Sequence, residues 1–133
     1  MDLQLLNWPA VIAAAASAFL LGGIWYGPLF KRAWSREAGV DPAAPPKRHP
    51  AYVFGFAFLL SLIAAIAFAL FLGPQADMHG GVQAGIAIGL LFVVTSFGIN
   101  YLFAGRSLKL WMIDGGYHLL QFALYGLIIG AWR

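Results

Sequence analysis

Three residues in the last quarter of the chain could do chemistry together: Asp114, His118 and Gln121. Spacings of four and three residues place them on one face of a helix. A carboxylate and an imidazole at that spacing could exchange a proton near neutral pH, where histidine ordinarily titrates. They stand in WMIDGGYHLLQFALY, Trp111 to Tyr125, at the start of a long apolar segment. Asp114 falls about one helical turn inside the interface expected near Lys109 and Trp111, at ~1.5 Å per residue. A carboxylate at that depth is costly unless it finds a partner or water.

The elements that must position this face are apolar. The chain has 133 residues, 62% hydrophobic and only 10% charged, with a mean hydropathy of +0.80. A soluble domain carries about 25% charged residues. There is too little polar surface here to coat a water-soluble globule, so the expectation is an integral membrane protein forming one transmembrane domain over residues 1–133. With no cysteine, disulfides and thiolate chemistry are excluded. The net charge of +3 and the pI near 9.5 are explained by basic cytoplasmic loops, and no nucleic-acid partner is expected. The first apolar segment has no basic region before it and ends in WYGP, which does not match a cleavable signal.

Four apolar segments are each close to the ~20 residues that cross a hydrocarbon core. They run from about Trp8 to Tyr26, Tyr52 to Leu72, Val82 to Phe103, and Leu110 to Trp132. Open sheets cannot lie in lipid, so the fold class is all-α, a four-helix membrane bundle. Lys31, Arg32, Arg36, Lys47 and Arg48 fill the first connection, and Arg106 and Lys109 the third. The other side has Asp2, Asp77, His79 and Arg133. Basic residues stay cytoplasmic, which places both termini outside.

Within the first connection, Phe30 to Ala38 reads as a short cytoplasmic interfacial helix with Phe30 and Trp34 toward lipid. Gly39 can end it. DPAAPPKRHP is a non-helical connector, and Pro50 suits the first turn of the next helix. Pro28, after Gly27, reads as the end of the first helix. Trp8, Trp25, Trp34, Trp111 and Trp132 fall near the expected interfaces, as an aromatic belt would require.

Small residues recur every four positions: Ala10, Ala14, Ala18 and Gly22; Ala57, Ser61, Ala65 and Ala69; Gly81, Gly85 and Gly89; Gly126 and Gly130. Such stripes let helix backbones approach closely. The glycine run fits either a neighbour in the same chain or a second copy. Four short helices enclose little interior, and a homo-oligomer, dimer or higher, is expected. GIWY (Gly23 to Tyr26) and GINY (Gly98 to Tyr101) suggest a weak internal repeat, two plus two about an axis along the membrane normal.

With the third and fourth helices antiparallel across a short loop, Asn100 and Asp114 should lie at similar depth. Tyr26, Trp25, Ser96, Tyr117, His118 and Gln121 could join them in the cytoplasmic half. Two readings stay open. In one, the cluster is a site for a proton, a cation or a small polar solute, and the protein is a transporter or channel. In the other, these groups hydrogen-bond one another and fix register in a self-associating structural or interaction protein. Asp114 could then cap a helix restarting at Gly115, or pair with Arg106 or Lys109. No metal site is expected, because His49 and His79 lie in loops and a third ligand is missing. No hydrolase, kinase or dinucleotide motif is present, so neither an enzyme nor a cofactor is expected.

GGIWYGPLFKRAW at Gly22 to Trp34, Asn100, and GGYHLL at Gly115 to Leu120 together resemble the bacterial family catalogued as domain of unknown function 1761. The W-Y-x-P-L-F-x-x-x-W run from Trp25 to Trp34 and the Gly116-Tyr117-His118 run carry the resemblance. It implies a small four-helix inner-membrane protein and supplies no activity. It directs attention to Trp25, Tyr26, Asn100, Tyr117 and His118.

Overall fold

In a computed structural model that describes residues 2–132, the chain is all-helical, with no strand among the described residues. Five helices follow one another: α1 (Trp8–Leu29), α2 (Lys31–Ala38), α3 (Pro50–Leu72), α4 (Met78–Ala104) and α5 (Leu108–Ala131). Arg133, expected on the outer side, lies outside the described residues.

Each boundary has a local cause. Asn7, Asp77 and Ser107 accept hydrogen bonds from the first-turn amides of α1, α4 and α5. His49 does the same for α3, with Pro50 in the first turn. Gly39 and Gly105 end α2 and α4 with φ of 71° and 70°, a conformation that favours glycine.

Three helices, α1, α3 and α4, are long and apolar enough to cross a membrane. The fourth expected span, α5, has 24 residues, but Asp114, His118 and Gln121 dilute its apolar character below that of the other three. It is also the helix with the most buried residues, from Leu110 to Gly130. It packs along α4 and against α1, while α3 packs on α1 and only lightly on α5. In order across the molecule the long helices are therefore α3, α1, α5 and α4. A two-plus-two repeat would put repeat-related helices at the centre, and α1 with α5 is not such a pair.

The alanine stripe of α1 is the centre of the apolar core. Ala10, Val11, Ala14, Ala15 and Ala18 are fully buried, together with Ala65 of α3 and Tyr125 of α5. The second stripe is only partly used, since Ser61, Ala65 and Ala69 are buried and Ala57 is exposed. The glycine run is consumed within the chain. A Cβ at Gly81, Gly85 or Gly89 would run into the backbone of Gly126, Phe122 or Leu119 on α5. Likewise, Gly126 and Gly130 abut the backbone of Gly81 and Asp77. This close seam explains why α4 and α5 form the tightest pair.

Two spans contain a widened turn. In α1 it covers Trp25–Leu29, where Pro28 cannot donate an amide hydrogen and Gly27 leaves helical geometry at φ −96° and ψ −105°. Regular helix thus breaks at Gly27, immediately before Pro28, where the sequence expectation placed the end of this helix, and a short coiled stretch continues beyond the kink to Leu29. In α4 it covers Gly89–Val94. At the opposite end from α2, the Asn7 amide donates to the Trp132 carbonyl at 2.8 Å, so the two ends of the described chain lie together.

Candidate functional site

Asp114 is inside α5, well past the Ser107 cap, so it does not begin a helix as one sequence reading allowed. It is buried, at 8% exposure. Both its oxygens are taken by phenols. Tyr26 of α1 donates to Oδ1 at 2.6 Å, and Tyr101 of α4 donates to Oδ2 in a very short hydrogen bond. One carboxylate thereby joins three helices. Bonds to a charged acceptor are the stronger kind, and two of them offset much of the cost of burying the charge.

Further ties surround the clasp. The Trp25 indole donates to the Ile113 carbonyl at 2.9 Å, from α1 to α5. The Trp111 indole donates to the Val94 carbonyl at 2.9 Å, from α5 to α4. The widened turn of α4 ends at Val94, and such turns leave carbonyls without their regular amide partner. Gly98 makes room for this tryptophan, since a Cβ there would meet its ring at 2.9 Å. Tyr117 donates to the Ala18 carbonyl at 2.9 Å, again from α5 to α1. Trp25 and Trp111 thus tie helices together, a role beyond that of an interfacial belt.

The imidazole of His118 does not meet Asp114, despite the helical spacing. It stacks on Phe97 at 4.7 Å between centroids and faces Gln121, with Nδ1 2.6 Å from Oε1. The Gln121 amide nitrogen donates to Tyr125 at 2.7 Å. Since the Gln121 oxygen can only accept, Nδ1 of His118 carries the hydrogen. Tyr125 in turn donates to the Ser61 carbonyl at 3.0 Å, and its hydroxyl lies 2.7 Å from Ser61 Oγ, which is also 3.2 Å from the Ala15 carbonyl. This second network links α5 to α3 and α1. No buried side-chain nitrogen or oxygen among the described residues lacks a hydrogen-bond partner.

Two expected members stand elsewhere. Asn100 is exposed on the outer face of α4. Ser96 is also exposed and bonds back to the Phe92 carbonyl at 2.6 Å. Both lie about a quarter-turn to a half-turn around α4 from the face that Tyr101 presents to α5. The sequence reading passed over Tyr101 and Tyr125, although a signal for Tyr101 existed. It closes the GINY repeat as Tyr26 closes GIWY, and these two tyrosines share Asp114.

Helix α2 lies over this end of the molecule. Phe30 packs on Trp25 at 4.7 Å and Trp34 meets Tyr26 edge-on at 6.0 Å. These aromatics turn inward and not toward lipid, as the sequence suggested. Arg106 does not pair with Asp114; it donates to the Ala38 carbonyl at the end of α2, at 3.3 Å. Arg106, Trp34 and Asp114 line a cavity of about 210 Å³ beneath α2. Among the described residues, no three His, Cys, Asp or Glu side chains are grouped to hold a metal. His79 lies apart and pairs with Gln83 at 3.1 Å.

Compared with known proteins, no curated protein and no solved structure matches the chain. A family model described as protein of unknown function (DUF1761) matches residues 9–130, which include both widened turns and every residue of the two networks. The chain belongs to the DUF1761 family.

Proposed function

We propose that this protein is a non-enzymatic four-span inner-membrane protein that acts through its surfaces, as an interaction or assembly protein. Its intramembrane polar groups are ties between helices. The observation that carries this is the double capping of Asp114 by Tyr26 and Tyr101. A carboxylate whose two oxygens each accept from a fixed phenol is held as a joint between helices, which supports a structural role over that of a carrier. His118, the other half of a proton path, turns its Nδ1 to Gln121 and its ring face to Phe97 rather than toward Asp114.

With α5 counted as a span, both termini lie on one side and the basic connections on the other. Positive residues favour the cytoplasm, so the termini face outward. Self-association fits the outer face of α4. There Asn100 is exposed within a span, and its side-chain amide makes no hydrogen bond among the described residues. An amide facing lipid gains by meeting a polar group on another helix. The glycine run no longer argues for a second copy, because α5 occupies it.

The test is Asp114→Asn in sealed proteoliposomes, with proton flux and thermal stability read on the same preparation. The expected result is no pH-driven flux in either protein and a lower melting temperature in the variant. A flux in the native protein that Asp114→Asn abolishes, with unchanged melting, would establish a transporter instead.

A further inference from the structure

Between α1 and the first half of α3 runs a groove of about 470 Å³, within the ~300–1,000 Å³ of ordinary ligand sites. Its origin is local. Gly23 and Gly27 on α1 have nothing within 4 Å of where a Cβ would stand, and Ala57 on α3 is exposed. The two helices meet again through Phe19, whose ring is 5.9 Å from that of Phe54.

The groove's polar groups decide what can fill it. Three hydroxyls line it, and each is already committed. Tyr26 donates to Asp114, Tyr117 to the Ala18 carbonyl, and Ser61 contacts the Ala15 carbonyl and Tyr125. The walls therefore offer no free donor to a polar solute. Among the described residues, the one charged side chain lining the groove is that of Lys31, exposed in the first turn of α2. The fitting occupant has a long apolar body and a single anionic end.

Resting on the membrane-spanning reading above, we infer that this groove is a binding site for an anionic phospholipid of the leaflet on the basic side. One acyl chain lies along Gly23 and Gly27, and the phosphate sits at Lys31. A lysine near a membrane surface favours an anionic headgroup by about fivefold. The glycines give the chain a smooth wall, and α3 stands away from α1 there because lipid and not protein fills the gap.

Native mass spectrometry of the detergent-purified protein tests this, with phosphatidylglycerol and phosphatidylcholine of identical chains added in turn. The native protein is expected to retain phosphatidylglycerol preferentially. Gly23→Leu, which fills open space in a helix, should lose that adduct while melting as the native protein does. Ala57→Leu, from the opposite wall, should do the same and guards against a folding defect in the first variant. Lys31→Gln should keep a lipid but lose the headgroup preference. Equal retention of both lipids by the native protein would overturn the proposal, as would an undiminished adduct in both leucine variants. A leucine variant that turns an oligomer into a monomer with its lipid unchanged would assign the groove to a second copy. Proton flux plays no part in these readouts, so this inference can fail while the role proposed for Asp114 stands.

Discussion

At the scale of single residues, the chemistry available to a side chain is set by what has already claimed its polar atoms. Asp114, His118 and Gln121 share a helix face, yet the face divides into two networks with different partners. Asp114 serves Tyr26 and Tyr101, while Gln121 bridges His118 and Tyr125. Gln121→Leu would leave His118 and Tyr125 each short of a partner. A loss of about 1–3 kcal/mol in reversible unfolding in mixed detergent is expected. Asn100→Leu, on the outer face, should stay within about 0.5 kcal/mol and act instead on self-association, read as dimer fraction in nanodiscs. The period of the helix revealed which residues of α5 share a face, but it carries no information on which neighbouring helix each one meets. Asn100 was drawn for that reason into a cluster it does not join, while Tyr101 beside it was marked only by the GINY repeat.

At the scale of helices, spacing was more informative, because backbone approach is a property of whole stripes. The Gly81, Gly85 and Gly89 run marked the closest helix contact correctly, although not whether the partner was internal. Gly85→Ala would push a Cβ into the Phe122 carbonyl. It should cost about 1–3 kcal/mol, as overpacking does, whereas Gly23→Ala, with open space around it, should be near neutral in the same unfolding assay. Two helix boundaries were readable from Pro50 and Gly39, since caps act locally. The widened turns were not. They depend on tertiary partners, such as the Trp111 indole that takes the Val94 carbonyl, and Pro28 by itself signals a stop and a loosening equally well.

At the scale of the whole molecule, composition alone identified an all-helical chain rich in apolar spans, while α5 shows how a central helix can carry polar residues by spending them on its neighbours. The absence of cysteine in the sequence makes topology directly testable. Single cysteines at Gln4 and Ala131 should react with an impermeant maleimide on intact cells, and one at Ala43 only after the membrane is opened. Labelling of Gln4 and Ala131 from opposite sides would contradict an even number of crossings. The central claim is that Asp114 holds three helices together. A double-mutant cycle between Tyr26→Phe and Asp114→Asn, read by reversible unfolding in detergent, tests it most directly. The account predicts a coupling energy of about 1.5 kcal/mol or more, the worth of a hydrogen bond to a charged group. Additive losses, agreeing within about 0.5 kcal/mol, would mean that the two residues do not support each other and that Asp114 is buried for another purpose.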